Sequence, residues 1–201
     1  SVLTTVNGLT YLTASDITAV EPDTGQFGTY VTITGTNLIS QDAPSDHTIT
    51  SLVVGDLETE FISANSTHII FQAGNGSAGA ATINLVATSG ATTTETNGFT
   101  YATLGVITSV LPTTGQVGTV VTISGERLLG GGSSATSVTL VGVDAAIDAN
   151  DASEITVIAR SPSSLGSGDI VITSDTGAVV TLSDGWQYVD ASEITQVEPA
   201  S

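Results

Sequence analysis

The sequence predicts an all-β chain made of two consecutive β-sandwiches of about 90 residues each, and three observations predict it. The stretch from Ile17, ITAVEPDTGQFGTYVTITGTNL, returns from Ile107 as ITSVLPTTGQVGTVVTISGERL, an offset of 90 residues. A missed repeat would miscall the whole fold, so this one governs the reading. Apolar residues within each copy recur with period two, the mark of a half-buried strand, and no segment carries a helical period. Threonine supplies about one residue in six, and threonine and valine favour strands because branched side chains fit a pleated surface.

Taken in order, copy one places Val31 and Ile33 before Gly35, then Leu52 to Val54, His68 to Phe71, Ile83 to Val86 and Phe99 to Tyr101. Each run is bounded by Gly, Ser, Asn or Asp, which end strands by supplying turn geometry. Copy two repeats the series as Val121 and Ile123 before Gly125, Val138 to Val141, Ile155 to Ile158, Ile170 to Ile172 and Trp186 to Tyr188. Six or seven short strands in about 90 residues suggest an immunoglobulin-like sandwich. Gly25, Gly28, Gly115 and Gly118 follow a proline-led turn and are read as positions of positive φ. No helix follows them, so they are not a phosphate cradle.

The module endings repeat as well. GLTYL, GFTYA and GWQYV place tyrosines at 11, 101 and 188, spaced by 90 and then 87 residues. The three-residue difference falls where copy one has ISQDAPSDHTIT and copy two the shorter LGGGSSATS. A third opening, ITQVEP, begins at Ile194. The expected organisation is therefore the last strand of a preceding module at 1–14, one domain at 15–103, a second at 104–190, and the first strand of a following module at 191–201. The linker Ala102 to Val106 is too short for two bodies that tumble freely, so a rod of limited bending is expected. The first residues lack a basic segment followed by an apolar one, which fits an excerpt from a longer array better than an intact precursor.

Composition narrows the function. With 20 Asp and Glu against 2 Lys and Arg the formal charge is −18. Nucleic acid and acidic lipid surfaces are held by cations that neutralise phosphate, so neither is an expected partner. No run of about 18 apolar residues is present to insert in a membrane as a helix. Hydrophobic residues make up 40% and charged ones 11%, a balance that folds. Cysteine is absent, which removes disulfides, thiolate nucleophiles and zinc–thiolate sites.

The opening I-T-x-V-x-P-x-x-G-x-x-G-T-x-V-T-I-x-G, the Val54-Gly55 and Val141-Gly142 pairs, and the aromatic-x-Tyr endings resemble IPT/TIG domains. The resemblance covers nearly the whole chain, twice in register. It implies immunoglobulin-like modules of the kind found in cell-surface receptors, bacterial adhesins and surface proteins, some polysaccharide-acting enzymes and certain transcription factors. Fold and modular habit follow from it, but not one function. The charge opposes the transcription-factor branch.

Candidate chemistry is sparse. Histidine occurs only at 47 and 68, and no nucleophile elbow or oxyanion signature accompanies either, so no enzyme activity is expected. Asp56, Glu58 and Glu60 alternate with Leu57, Thr59 and Phe61. On a strand the three carboxylates would share one face, either holding a hard cation such as Ca2+ or simply facing solvent. Asp144, Asp148 and Asp151 crowd a turn near DANDASE, an oxygen-rich stretch that lacks the glycine and distal glutamate of a calcium loop. No cofactor is required by any motif. Asn65 and Asn75 begin N-glycosylation patterns, but about two are expected by chance. Trp186 or Tyr30 could line a sugar site, although the slot that holds Leu9, Phe99 and Trp186 fits core packing better.

The sequence thus points to a non-catalytic extracellular or cell-surface spacer, part of a surface fibre, surface layer or giant adhesin. Its partners would be neighbouring modules of the same chain, and identical chains in a filament or layer. The alternative is a glycan-binding or spacer module of a polysaccharide-capturing surface protein or enzyme.

Overall fold

Both repeats follow one strand plan, set by where apolar residues alternate and where glycine, asparagine and aspartate turn the chain. The computed structural model describes residues 13–39, 49–88, 90–193 and 195–196. Repeat one runs through β1 (Asp16–Glu21), β2 (Thr24–Gly25), β3 (Tyr30–Thr36), β4 (Ile49–Val54), β5 (Leu57–Glu58), β6 (Phe61–Ala64), β7 (His68–Gln72), β8 (Gly79–Ala87) and β9 (Thr92–Tyr101). Repeat two follows with β10 (Val106–Leu111), β11 (Thr114–Gly115), β12 (Val120–Glu126), β13 (Ala135–Leu140), β14 (Val143–Asp144), β15 (Ala146–Asn150), β16 (Glu154–Ile158), β17 (Gly166–Ser174) and β18 (Val179–Tyr188). Residues 1–12, 194 and 197–201, on which the expected flanking strands mainly fall, lie outside the described residues, as does His47.

Each repeat pairs a four-stranded sheet with a five-stranded one, in the orders β1-β3-β7-β6 and β2-β9-β8-β4-β5, then β10-β12-β16-β15 and β11-β18-β17-β13-β14. The pairing is antiparallel except where β2 runs parallel to β9 and β11 to β18. One apolar core per repeat draws from both sheets, so the sheets face each other across it. Alternation does the work: Val31, Ile33, Ile69 and Phe71 from one sheet and Ile83 and Phe99 from the other are wholly buried. Burying each such side chain stabilises by about 1.5–3 kcal/mol relative to exposure. Their counterparts Val121, Ile123, Ile155, Val157, Ile170 and Trp186 are buried to the same degree.

Strand register corrects the simple sequence alignment. Val54 pairs with Leu57, and Leu140 with Val143, so Gly55 corresponds to Val141 rather than to Gly142. Both sit at positive φ, 64° and 53°. The shift from offset 90 to 86 means that the loop after β12 is shorter by four residues, not three. One residue returns in the segment between β16 and β17, since Ile83 and Ile170 occupy one position with Val54 and Leu140 as their partners.

The four glycines expected at positive φ divide. Gly28 and Gly118 are there, at 91° and 85°. Gly25 and Gly115 are instead paired in β2 and β11, and an added Cβ would meet the side chain of Thr29 or Thr119. These two are glycine because a threonine hydroxyl closes the turn above them, accepting from the Gln26 amide at 3.1 Å and the Gln116 amide at 3.0 Å.

Candidate functional site

Where the two repeats meet, the segment Gln26–Tyr30 faces the β17–β18 hairpin turn, Asp175–Val179. Gln26 is wholly buried although it is polar, a placement that requires its amide to be bonded. Its Nε2 donates to the Val179 carbonyl at 3.3 Å, and its Oε1 accepts from the linker amide of Gly105 at 2.7 Å. One side chain therefore fastens repeat one both to repeat two and to the linker. Backbone bonds flank it: Val179 N–H donates to Phe27 O at 3.0 Å, and Tyr30 N–H to Thr176 O at 2.9 Å.

Glycine makes the close approach possible. Gly177 has φ of 85°, and a Cβ there would collide with the Tyr30 ring. Gly28 has φ of 91°, and a Cβ there would lie 2.7 Å from the Gly177 carbonyl. Asp175 braces the turn from behind by accepting from the amide and hydroxyl of Ser133. That hydroxyl bond, foremost among the bonds it receives, holds the Asp175 carboxyl below the usual aspartate range. The bonds that cross between the repeats come from an amide side chain and from backbone. They need no opposite charge, which suits two bodies that are both acidic.

Sequence reasoning named neither glutamine. The signal was present, since Gln26 and Gln116 occupy the same place in the two copies of the opening motif.

A family model described as IPT/TIG domain matches residues 15–101 and 106–188. The chain belongs to the IPT/TIG family. Among solved structures it is similar to the plexin A4 full extracellular region at 22% identity and a TM-score of 0.54, covering 92% of this chain and 16% of that one. It also matches SGBP-B from a complex xyloglucan utilization locus in Bacteroides uniformis, at 18% identity and a TM-score of 0.35, covering 87% of this chain and 49% of that one. The chain thus spans less than half the length of these structures. No curated protein sequence matches it.

Within these IPT/TIG repeats the acidic candidates disperse. Asp56 lies in the β4–β5 turn, Glu58 on the two-residue β5 and Glu60 in the segment before β6, all exposed. The expected alternation in exposure holds from Asp56 to Glu60, with Thr59 inward between the exposed Glu58 and Glu60 although β5 itself covers only Leu57–Glu58, and it ends at Phe61, which is 39% exposed. Glu58 and Glu60 line one open groove with Thr50 and Phe61. Asp144 ends β14 and accepts from the Ser137 hydroxyl at 3.2 Å. Asp148 lies within β15, not in a turn. Among the described residues no three His, Asp or Glu side chains come together in a group that could hold a metal ion.

Asp151 has a different task. Its Oδ1 accepts from Ser153 N–H at 2.7 Å, Ser153 Oγ at 2.8 Å and Glu154 N–H at 2.8 Å. Led by the Ser153 amide, these bonds hold its carboxyl below the usual range. Asn65 makes the same three bonds in repeat one, to Thr67 N–H, Thr67 Oγ1 and His68 N–H. A neutral amide in the equivalent place makes the same turn, so the bonds that Asp151 accepts are those of a turn former.

The remaining candidates are structural too. His68 is exposed, with Nδ1 2.8 Å from the Thr67 hydroxyl. Trp186 and Tyr188 are 1% exposed and meet edge to face with ring centres 5.8 Å apart, so Trp186 offers no face to a sugar. Tyr30, half exposed, lies against Gly177 at the junction.

Proposed function

We propose that this chain is a non-catalytic spacer, a segment of a longer array of IPT/TIG modules that holds another element away from a cell surface or builds a surface fibre. The observation that carries the reading is Gln26, buried at the junction and bonded at once to the linker and to the next repeat. A linker tied down in this way transmits orientation from one module to the next. The extracellular setting rests on the resemblance to surface-protein modules and on the acidity, which keeps neighbouring surfaces soluble and mutually repelling. Each sandwich would add roughly 35–45 Å if strands of about ten residues run along the rod. Side-by-side association into a filament or layer is part of the proposal and would use the exposed edges of the sheets.

Glycan capture has less support, because among the described residues Phe71, Phe99, Tyr101, Trp186 and Tyr188 are buried in the cores. The test of the spacer reading is the relative orientation of the two repeats in solution, measured by residual dipolar couplings and X-ray scattering. A single orientation tensor shared by both repeats supports it. Independent tensors, or turnover of a substrate by the tandem, would overturn it.

A further inference from the structure

We infer that the face formed by Gln116, Val117, Gly118 and Val120 at the far end of repeat two is a docking site for the β-hairpin turn of a further IPT/TIG module of the same repeat. This rests on the spacer reading and deepens it by naming the surface through which the array continues.

The observed junction is the template. Repeat two covers Gln26 and Thr29, which are 0% and 1% exposed. The matching Gln116 and Thr119 are only partly buried, and Gly118 is exposed where Gly28 is buried. A Cβ on Gly28 would strike Gly177 and Val179 of the next repeat, whereas one on Gly118 would meet nothing within 4 Å. The same loop, built to the same φ, is covered in one copy and open in the other.

The linker is already set for the docking. Ser192 N–H donates to Gln116 Oε1 at 2.6 Å, as Gly105 N–H does to Gln26 Oε1 at 2.7 Å. Both amides lie four residues beyond the closing tyrosine, Tyr188 or Tyr101. A chain leaving repeat two is thereby aimed as the chain leaving repeat one is aimed, and the sequence from Ile194, ITQVEP, restates the module opening.

The chemistry of the occupant follows from the turn that fills the observed site, Thr176-Gly177-Ala178. Repeat one carries Gly90-Ala91 at the matching place in its own hairpin, and Ser89 precedes them in sequence. Gly90 has φ of 81°, and a Cβ there would meet nothing within 4 Å. A hydroxyl residue, then glycine, then alanine is thus the repeat's own plug. Glycine admits the residue at position 120 as it admits Tyr30, and the turn backbone bonds the carbonyl of Val117 and the amide of Val120.

The test extends the chain by a copy of residues 107–193 joined after Glu193, so that a third module enters at the Ile194 position. The protein has no cysteine, which leaves engineered pairs unambiguous. Phe27→Cys with Val179→Cys reports on the observed junction; Val117→Cys with Val179→Cys in the added copy reports on the inferred one. Both pairs are expected to oxidise within the chain at the same rate. A first pair that closes while the second does not overturns the inference and leaves the spacer reading standing. If neither closes, both fall. Without any substitution, extension should slow hydrogen exchange at the Val120 amide by about tenfold or more, as expected when an open edge becomes bonded. Unchanged exchange there would also overturn the inference.

Discussion

Gln26 and Gly105 are joined by a 2.7 Å hydrogen bond in which the linker amide donates to the glutamine Oε1. The bond spans a whole module, from the turn after its second strand to the residue just before the next module begins. It converts a four-residue connection, which by itself would allow bending, into a fixed exit. The same glutamine then reaches Val179, so linker and neighbour are positioned by one group.

Gln26→Ala should therefore separate folding from coupling. It leaves the Gly105 amide and the Val179 carbonyl without their partner in a mostly buried site, at a cost of about 1–3 kcal/mol. Gln116→Ala removes a bond at a more exposed site and should cost a fraction of that. Thermal unfolding of the two variants checks the difference, and scattering should show a looser particle for Gln26→Ala alone. Equal losses would contradict the assignment.

The core was legible because period-two alternation is a local signal. Val31, Ile33, Ile69, Ile83 and Phe99 were readable from neighbours two positions away, and the repeat doubled each reading. The junction was not, because its partners lie far apart in sequence: Gln26 and Val179 are linked only through the folded positions of two modules. Gln26 also resembles any polar turn residue until its burial is known. The acidic face at Asp56 to Glu60 was legible in part, again from a local pattern. Exposure alternates from Asp56 to Glu60 with Thr59 inward, as the sequence alternates, and only Phe61, beyond the two-residue strand, departs from it.

Val141 sits at φ of 53°, where a β-branched side chain is strained, while Gly55 holds the equivalent turn position in repeat one. Val141→Asn should relieve about 1 kcal/mol, because asparagine tolerates the left-handed region that valine resists. Part of the gain is offset by lost packing, since Val141 lies against the core of repeat two. A higher unfolding midpoint checks it; a lower one would mean that packing outweighs strain.

Asp151 gives a pH prediction with a definite sign. Its carboxyl is held below the ordinary value of 3.8 by bonds from Ser153 and Glu154. Its contribution is therefore fully present above that ordinary value and is lost as pH falls through the lowered one. Asp151→Asn should keep the turn, as Asn65 does, and should lose less stability than the parent when pH is taken from about 5 to about 2. Asp151→Ala should be less stable than either at neutral pH. Carboxylate NMR titration should place Asp151 and Asp175 below the ordinary aspartate value.

Calcium is expected to leave the unfolding midpoint unchanged at fixed ionic strength. The candidate carboxylates are dispersed, and Asp151 spends one oxygen on three hydrogen bonds. A ligand that binds only the folded state raises the midpoint in a saturable way. A saturating rise over the chelator control would therefore overturn this expectation and return Glu58 and Glu60, which share a groove, to consideration as ligands.

Gly90 and Gly177 provide the sharpest comparison, because they occupy the same hairpin position with nearly the same backbone, φ of 81° and 85°. Alanine at either site meets the same unfavourable conformation, costing about 1 kcal/mol. Only at Gly177 does the new methyl also meet a neighbour, the ring of Tyr30 in the other repeat. Gly90→Ala should therefore lower the midpoint slightly and leave the orientation of the repeats intact. Gly177→Ala should lower it further and broaden the distribution of inter-repeat angles. The second effect separates the two causes, since backbone strain alone destabilises a turn without moving the module beyond it. If both variants keep one shared orientation tensor, the glycine at 177 serves only its own hairpin, and the closeness of Gly177 to Tyr30 plays no part in fixing the orientation of the repeats.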